Sequence, residues 1–277
     1  MNRQFCLFVF TAVVASVATS FPGQLDAASS NEARVTQVKN QVQLASSKQI
    51  ARHASVNDIV HEQTIVRTGN GSRGEIAFPD ETVVRLAART AFDFKNGTRG
   101  LNLGEGAALV QAPKKANGAT IHAGSVAAAV AGTTAMIEYR PGFYKFLVLE
   151  GTARIYRPGH LGDSVLVSPG QMVFGNPESA LSDAVDVDIE RFMKTSRFIT
   201  DFPPLRSVKS IAAESQKQQH EKSTKNLVNT NLVIFGGGTQ VSVTDQGQPD
   251  TADDKTAALA APHRLQSLTP NAAPNLP

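Results

Sequence analysis

The sequence of 277 residues contains no tryptophan, only 3 tyrosines and a single cysteine, Cys6. Aromatic rings are the usual platforms for stacking sugars, so their scarcity counts against an enzyme that acts on polysaccharides. Cys6 lies in a segment that we expect to be removed, which would leave the mature chain without a thiol. Disulfides, a thiolate nucleophile and a cysteine-ligated metal are therefore excluded for the mature protein.

The chain also lacks a strong excess of charge of one sign. It has 27 basic and 24 acidic residues, and its net charge is +3. This balance predicts neither a nucleic-acid partner nor binding to an anionic membrane. Hydrophobic residues make up 41% of the chain, which is enough for a sizeable core of Val, Ile, Leu, Ala and Phe.

Long apolar runs are missing after the N-terminus. Residues 1–28 have the features of a secretory signal peptide, because Arg3 supplies positive charge, residues 5–18 are apolar and small residues follow. We expect cleavage after Ser20 or near Ala28, and hence a periplasmic or secreted bacterial protein with no membrane span once the signal is removed. An uncleaved N-terminal anchor is the alternative, although the apolar run is short for a membrane span.

The most informative feature that is present is a phrase that occurs twice. LNLGEGAALV at 101–110 resembles LVLEGTARI at 147–155. We align Leu101 with Leu147, and the Glu-Gly pair at 105–106 with the pair at 150–151. This alignment leaves Gly104 as an inserted residue, and a single extra glycine in one of two equivalent strands predicts a β-bulge.

Both copies lie in a block, residues 68–171, in which short alternating segments are separated by glycine turns, as expected of β-strands. Residues 34–44 predict a further strand with a bulge, residues 45–62 a polar connection, and residues 143–156 the longest strand. For the alanine-rich residues 120–130 we favour an extended segment over the helix that alanine propensity alone would indicate.

The character of the sequence changes towards the C-terminus. Residues 187–226 predict a short helix followed by a polar connecting region with a solvated helix, and residues 229–244 predict a strand-turn-strand. Residues 245–277 have almost no core residues and predict a disordered tail. The predicted fold is therefore all-β: a two-layer sandwich or solenoid-like domain of short strands over residues 33–180, then a short helical region and the tail.

Five pieces of the block occur in the order and spacing of the FecR domain, a family named for the ferric-citrate regulator of bacterial envelope signalling. The block resembles this family in TGNGSRGEIAFPDETVVRL at 68–86, LNLGEGAALV at 101–110, AGTTAMIE at 131–138, FYKFLVLEGTARIY at 143–156 and VLVSPGQ at 165–171. The resemblance implies the fold and an extracytoplasmic setting. It also implies structural turn positions at Gly106, Gly132, Thr133, Gly151, Gly170 and Gln171.

The resemblance does not imply that this chain regulates a sigma factor. Regulators of the family carry a cytoplasmic anti-sigma segment and a membrane helix before this domain, and a signal-like segment stands in their place here. Their separate C-terminal subdomain, which receives the message of an outer-membrane transporter, is not identifiable in residues 187–277.

No residues in the sequence have the spacing of a catalytic or metal site. The six histidines lack zinc-site spacing and are interpreted as surface residues: His53, His61, His122, His160, His220 and His263. Three serines in glycine-flanked contexts form no nucleophile elbow: Ser72, Ser125 and Ser164. The acidic candidates for acid–base chemistry, Asp80-Glu81, Glu105 and Glu150, are interpreted as turn residues. GGGT at 236–239 is interpreted as a flexible turn, and Asn96-Gly97-Thr98 as a hairpin turn instead of a glycosylation site.

We therefore expect no catalytic residue, no cofactor-binding residue and no metal. The predicted function is an exported, non-catalytic FecR-domain protein that serves as a protein or glycan interaction module in the bacterial envelope, with a link to envelope signalling left open. One alternative is a hydrolase or lyase that acts on envelope polysaccharide, because all-β folds often host such chemistry. Another is a signalling receiver that has lost its membrane part.

Overall fold

The computed structural model describes residues 32–46, 49–95, 97–116 and 118–221, together with the backbone of residues 232–235 and 240–243. The predicted signal peptide, the predicted disordered tail and the GGGT turn lie outside the described residues. No described helix is long and apolar enough to span a membrane.

Strands dominate the described chain. The strands are β1 Glu32–Lys39, β2 Val42–Ser46, β3 Gln49–His53, β4 Ile59–His61, β5 Ile65–Thr68, β6 Arg73–Ala77, β7 Val83–Leu86, β8 Ala91–Lys95, β9 Gly100–Ala112, β10 Ala119–Ala123, β11 Val126–Val130, β12 Thr133–Arg140, β13 Phe143–Glu150, β14 Ala153–Tyr156, β15 Ser164–Val167, β16 Gln171–Gly175, β17 Val185–Asp186, β18 Leu232–Phe235 and β19 Gln240–Val243. The helices are a 3-10 turn at Gly97–Arg99, α1 Ile189–Thr195, α2 Arg197–Thr200 and α3 Val208–Glu221.

The first seventeen strands form two layers that share β9. Sheet I has the order β4-β1-β6-β7-β9-β12-β13-β16-β17, and sheet II has the order β3-β2-β5-β8-β9-β10-β11-β14-β15. These pairings are antiparallel except for β9 with β10, which is parallel. Strands β18 and β19 form a separate antiparallel hairpin. The expectation of an all-β domain with a short C-terminal helical region is confirmed.

The main core lies between the two sheets. It is filled by the inward positions of both layers, including Ile76, Val110 and Val148 from sheet I and Phe92 and Ile155 from sheet II. Because successive side chains of a strand point to opposite faces, alternate residues of the same strands of sheet I are directed outwards. These outward residues form a second core.

The second core separates sheet I from the helices. On the sheet side it contains Leu109, Met136 and Leu147, and on the helix side it contains Phe192 and Ile211, among others. Asp188 caps α1 by accepting a hydrogen bond from the backbone N–H of Arg191, at 2.9 Å. The outer face of sheet I is therefore covered by helices.

Each passage of the chain between the two sheets contains a residue with positive φ. These residues are Asn40, Asn57, Gln63, Gly71, Arg89, Gly106, Gly118, Gly132, Gly151 and Gly170. Left-handed backbone is the natural solution for such a sharp change of direction, and glycine adopts it at the lowest steric cost. Many of the glycine turns in the sequence thus lie where the chain passes from one sheet to the other.

Three expectations about individual segments are wrong. Residues 45–62 contain two strands, β3 and β4, and are not only a polar connection. Residues 143–156 form two strands, because at Gly151 the chain leaves sheet I for sheet II. The longest strand is β9, with 13 residues, which passes from sheet II to sheet I at Gly106.

The internal alignment is also off by one residue. Opposite Phe92 and Ala91 lie Leu103 and Glu105, so Gly104 is a bulge, as expected. However, Leu149 forms a matching bulge in the second copy, between Val148 and Glu150. The two copies therefore align without a gap. The gapped alignment matched residues on opposite faces of their sheets, which is the consequence of any slip of one residue.

Candidate functional site

Arg85 fastens the C-terminal helices to the outer face of sheet I. Its side chain is 2% exposed, and its Nε donates a hydrogen bond of 2.7 Å to a carboxylate oxygen of Glu75. Its two terminal nitrogens donate to the backbone carbonyls of Phe198 and Pro203. The guanidinium carbon lies 4.8 Å from the ring centroid of Phe202. Burial lowers the pKa of Arg85, and Glu75 opposes this effect.

Neighbouring charged residues extend this attachment. Glu75 also accepts a hydrogen bond of 2.7 Å from Thr36. Asp201, in the segment after α2, lies 3.2 Å from Lys39 and 4.0 Å from Arg73. Sequence reasoning missed these residues. One feature of the sequence could have indicated them: β6 and β7 each contain a charged residue, Glu75 and Arg85, next to apolar residues.

A second buried ion pair lies further along the same face. The Lys145 ammonium is 2.9 Å from Glu138, and the two side chains are 0% and 6% exposed. The Arg140 guanidinium lies 3.5 Å from the same carboxyl group. Burial raises the pKa of Glu138, but the two cations outweigh it, so the net effect is a lowered pKa. In both ion pairs, a buried carboxylate of sheet I is matched by a buried cation.

Helix α3 is attached through a buried glutamine. The Gln218 amide nitrogen donates to the carbonyl of Val187 at 2.6 Å, and its amide oxygen accepts from the N–H of Ile189 at 3.1 Å. A Cβ on Gly170 would lie 2.5 Å from this amide nitrogen. The expected solvated helix is thus docked along one face, which is formed by Ile211, Ser215 and Gln218.

The outer face of sheet II, in contrast, carries no helix in the described part of the chain. Register places its outward residues in rows that cross the strands. One row contains Lys95, Gly100, Thr120, Ala129, Arg154 and Leu166. Another contains His53, Gln43, Arg67, Ala91 and Glu105. We call this surface the open face.

Small side chains leave a shallow groove of about 530 Å³ in the open face. Ala129 and Thr120 lie on its floor, while Arg99, Arg154 and Leu166 are exposed at its sides. Arg154 donates a hydrogen bond of 3.1 Å to Ser164. The open face has one exposed acidic residue, Glu105, and four exposed basic residues: Arg67, Lys95, Arg99 and Arg154. The half-buried Asp93 accepts a hydrogen bond of 2.7 Å from the side-chain amide of Asn102.

The six turn residues implied by the resemblance lie at passages between the sheets. Gly106, Gly132, Gly151 and Gly170 all have positive φ. Thr133 donates hydrogen bonds to the carbonyls of Ala131 and Thr152, at 3.0 and 2.8 Å. Gln171 accepts one of 3.0 Å from the N–H of Ser168. Thr90 repeats the pattern of Thr133, because it donates to the carbonyls of Ala88 and Ala107.

The structure does not bring the two glutamates of the repeat together. Gly106, next to Glu105, lies opposite Tyr139 of β12, whereas Glu150 lies opposite Thr134 of the same strand. Five residues of strand separate these positions, or about 17 Å. Glu105 is exposed, and Glu150 is half-buried and accepts a hydrogen bond of 3.0 Å from Thr134.

The other polar candidates have structural partners. Asp80 accepts hydrogen bonds from the N–H of Thr82 and the hydroxyl of Thr98, at 2.9 and 2.8 Å. Ser72 accepts from the N–H of Gln41 and donates to the carbonyl of Asn70, and Ser125 donates to the carbonyl of Pro177.

The described histidines are all exposed, and His61 lies 3.3 Å from Glu32. His263 lies outside the described residues. No group of three or more potential metal ligands occurs in the described chain.

Comparisons with known proteins find one family model and similar solved structures. Residues 64–154 match the family model described as FecR protein. No curated protein matches the chain. Two crystal structures of a protein from Parabacteroides distasonis, described provisionally as an anti-sigma factor, are similar to it. One has 12% identity and a TM-score of 0.41, with 64% of this chain and 97% of that chain covered. The other has 13% identity and a TM-score of 0.39, with 65% and 98% covered.

Likeness to solved structures at this level assigns neither activity nor partner to this chain. The family match, however, covers sheet I from β6 to β13 and sheet II from β5 to the first two residues of β14. It includes the first copy of the repeated phrase and all but the last residue of the second. Residues 64–154 of this protein therefore match the FecR domain.

Proposed function

We propose that this protein is a non-catalytic interaction module of the bacterial envelope that binds an acidic region of a partner protein on its open face. The observation that carries the proposal is the groove of about 530 Å³ between Arg99 and Arg154. Its floor of small side chains admits the side chains of a partner, and the two guanidinium groups suit carboxylates. Helices cover the outer face of sheet I, whereas no described helix covers the open face.

The chemistry of the groove favours a protein over a glycan. The residues that line it are glycine, alanine, threonine, valine, leucine and arginine, and none of them is aromatic. The FecR domain supports a role in envelope signalling, in which protein partners are the norm. An enzyme is not favoured, because Glu105 and Glu150 lie at opposite ends of β12, too far apart to act on one bond.

The test is capture of envelope proteins by three forms of the protein: the wild type, an Arg99→Glu/Arg154→Glu variant and an Arg191→Glu/Lys209→Glu control. The control makes the same change in net charge at exposed positions on the helices. We expect one captured protein to be retained by the wild type and the control. The groove variant should lose at least tenfold in affinity for it, and the binding should weaken as salt rises.

Equal capture by all three forms would contradict the assignment of the open face. Capture of polysaccharide instead of protein would show that the partner is a glycan. Release of reducing ends from envelope polysaccharide by the wild type, lost in a folded Glu105→Gln/Glu150→Gln variant, would replace the proposal with an enzyme.

A further inference from the structure

We propose that β18, the first strand of the C-terminal hairpin, pairs with β15 of the same chain and extends sheet II by the two strands of that hairpin. This inference does not rest on the proposed function. The segment of residues 232–243 would be a structural part of the domain, attached beyond the helices.

Strand β15 is an open edge. In the described chain it pairs with β14 alone, through the register Ala153–Val167 to Tyr156–Ser164. On its side away from β14, the N–H of Ser164 is bonded to the carbonyl of Gly162, while the backbone groups of Leu166 remain available to a further strand. Edges of this kind are usually covered, because an uncovered edge invites pairing with other chains.

The same edge exposes apolar surface. Leu166 in β15 is 53% exposed, and Leu161 in the turn before it is fully exposed. Most apolar side chains of the domain are buried in one of its two cores. An apolar patch beside an unpaired edge fits a strand whose own residues are apolar, because one pairing event then satisfies backbone groups and buries hydrophobic area.

Strand β18 has the matching properties. Its sequence, LVIF, is apolar throughout and has four residues, as β15 does. In the described chain it pairs with β19 alone. A two-stranded hairpin on its own is marginally stable in water, whereas a sheet edge supplies the third strand that such a hairpin needs.

The connection from α3 is long enough to permit this docking. Gln218, three residues before the end of α3, would touch a Cβ placed on Gly170. Gly170 follows β15 by three residues. The ten residues from 222 to 231 can span about 33 Å when extended, which exceeds the length of β15, about 13 Å. Docking within one chain is therefore favoured over docking on a second copy, since the local concentration of a tethered segment is high.

The test is disulfide formation in the full chain with Cys6→Ser, so that introduced cysteines are the only thiols. Leu166→Cys is combined in turn with a cysteine at 232, 233, 234 and 235. Because successive residues of a strand alternate in direction, we expect cross-linking in the monomer at either the even or the odd positions, with at least a fivefold difference between the two sets. Equal cross-linking at all four positions, or none, would overturn the pairing. Disulfide-linked dimers with little cross-linked monomer would show instead that the hairpin docks on a second copy.

Hydrogen exchange supplies an independent readout in a chain that keeps its full length. Ile234→Pro removes a backbone donor from β18, and Ala258→Pro is the control in the C-terminal segment. The amide of Leu166, which points away from β14, should exchange at least tenfold faster in Ile234→Pro than in the wild type or the control. Unchanged exchange in all three would overturn the proposal.

Discussion

Gly151 lies directly against the backbone carbonyl of Gly132. A Cβ placed on Gly151 would lie 2.3 Å from that oxygen, which is far inside van der Waals contact. Gly106 repeats the relationship, because a Cβ there would lie 2.6 Å from the carbonyl of Arg89. Each Glu-Gly pair of the repeated phrase therefore marks a point where two successive passages between the sheets touch, and only glycine allows them to come so close.

Alanine at Gly106 or Gly151 should destabilise the domain by more than about 3 kcal/mol, because strain at positive φ and a steric clash add. The matched control is Gly142→Ala. Its φ is +80°, but no atom lies within 4 Å of the new Cβ, so it should cost only about 1–2 kcal/mol. Chemical denaturation of the three variants measures the difference. Equal losses at all three positions would show that the close approach is unimportant.

Replacing Arg85 with methionine should cost about 3–5 kcal/mol, because Glu75 would remain buried without its cation. Two backbone carbonyls, of Phe198 and Pro203, would also lose their donor. The control is Arg206→Met, which removes an exposed ion pair with Glu81 and should cost less than about 1 kcal/mol. Denaturation gives the free energies, and limited proteolysis of residues 197–207 reports release of the helices. A stable Arg85→Met protein with protected helices would contradict the attachment described here.

Gln218→Ala should destabilise the protein by about 1–3 kcal/mol, since a buried N–H and a buried carbonyl lose their partners together. The neighbouring Gln219 is exposed and donates only a 3.3 Å hydrogen bond to Glu190, so Gln219→Ala should have little effect. Hydrogen exchange should show faster opening of α3 in Gln218→Ala alone. If both variants open α3 equally, the buried amide is not the attachment point.

Glu150 should make the protein less stable as pH rises from about 4 towards 7. Burial raises the pKa of Glu150, and the nearby Glu214 carboxylate adds to this, although Thr134 and Lys114 oppose it. A pKa that is higher in the folded state means that the contribution to stability is complete below the unfolded pKa and is lost as pH passes through the folded pKa. Glu150→Gln should therefore raise the melting temperature at pH 7 and leave it nearly unchanged at pH 4. The exposed Glu105→Gln is the control, and the same response in both variants would contradict the role of burial.

Much of the β architecture could be predicted from local pattern. Alternation of apolar and polar residues marks β8, which has one buried face. It also marks β6, β7 and β12, although the structure buries both faces of these strands. The glycine turns at Gly106 and Gly151 could be found for the same reason, since their effect on the backbone is local. The bulge at Gly104 was predicted from the gapped alignment of the two copies, which the structure corrects, because the second copy has its own bulge at Leu149.

The alignment of the two copies could not be decided from the sequence. In the sequence, Leu147 and Leu149 look like the equivalents of Leu101 and Leu103. In the structure, Leu147 and Leu149 point towards the helices. Leu101 and Leu103 point into the core between the sheets. Both faces of β13 are buried, so its apolar run carries no signal of direction. The partner strand β12 fixes the register by hydrogen bonding, and this information is not local.

The sequence by itself indicated most of the strands, the glycine corners and the resemblance of the β block to the FecR domain, because these depend on short-range pattern. Only the tertiary structure decided which face stays open. Arg85 and Glu75 are simply charged residues within strands until the segment from Phe198 to Pro203 folds back over them. The attachment joins residues more than a hundred positions apart in the chain, and its energy comes from burial and pairing that exist only after folding. The groove of the open face arises in the same way, since its floor and sides come from strands that meet only in sheet II.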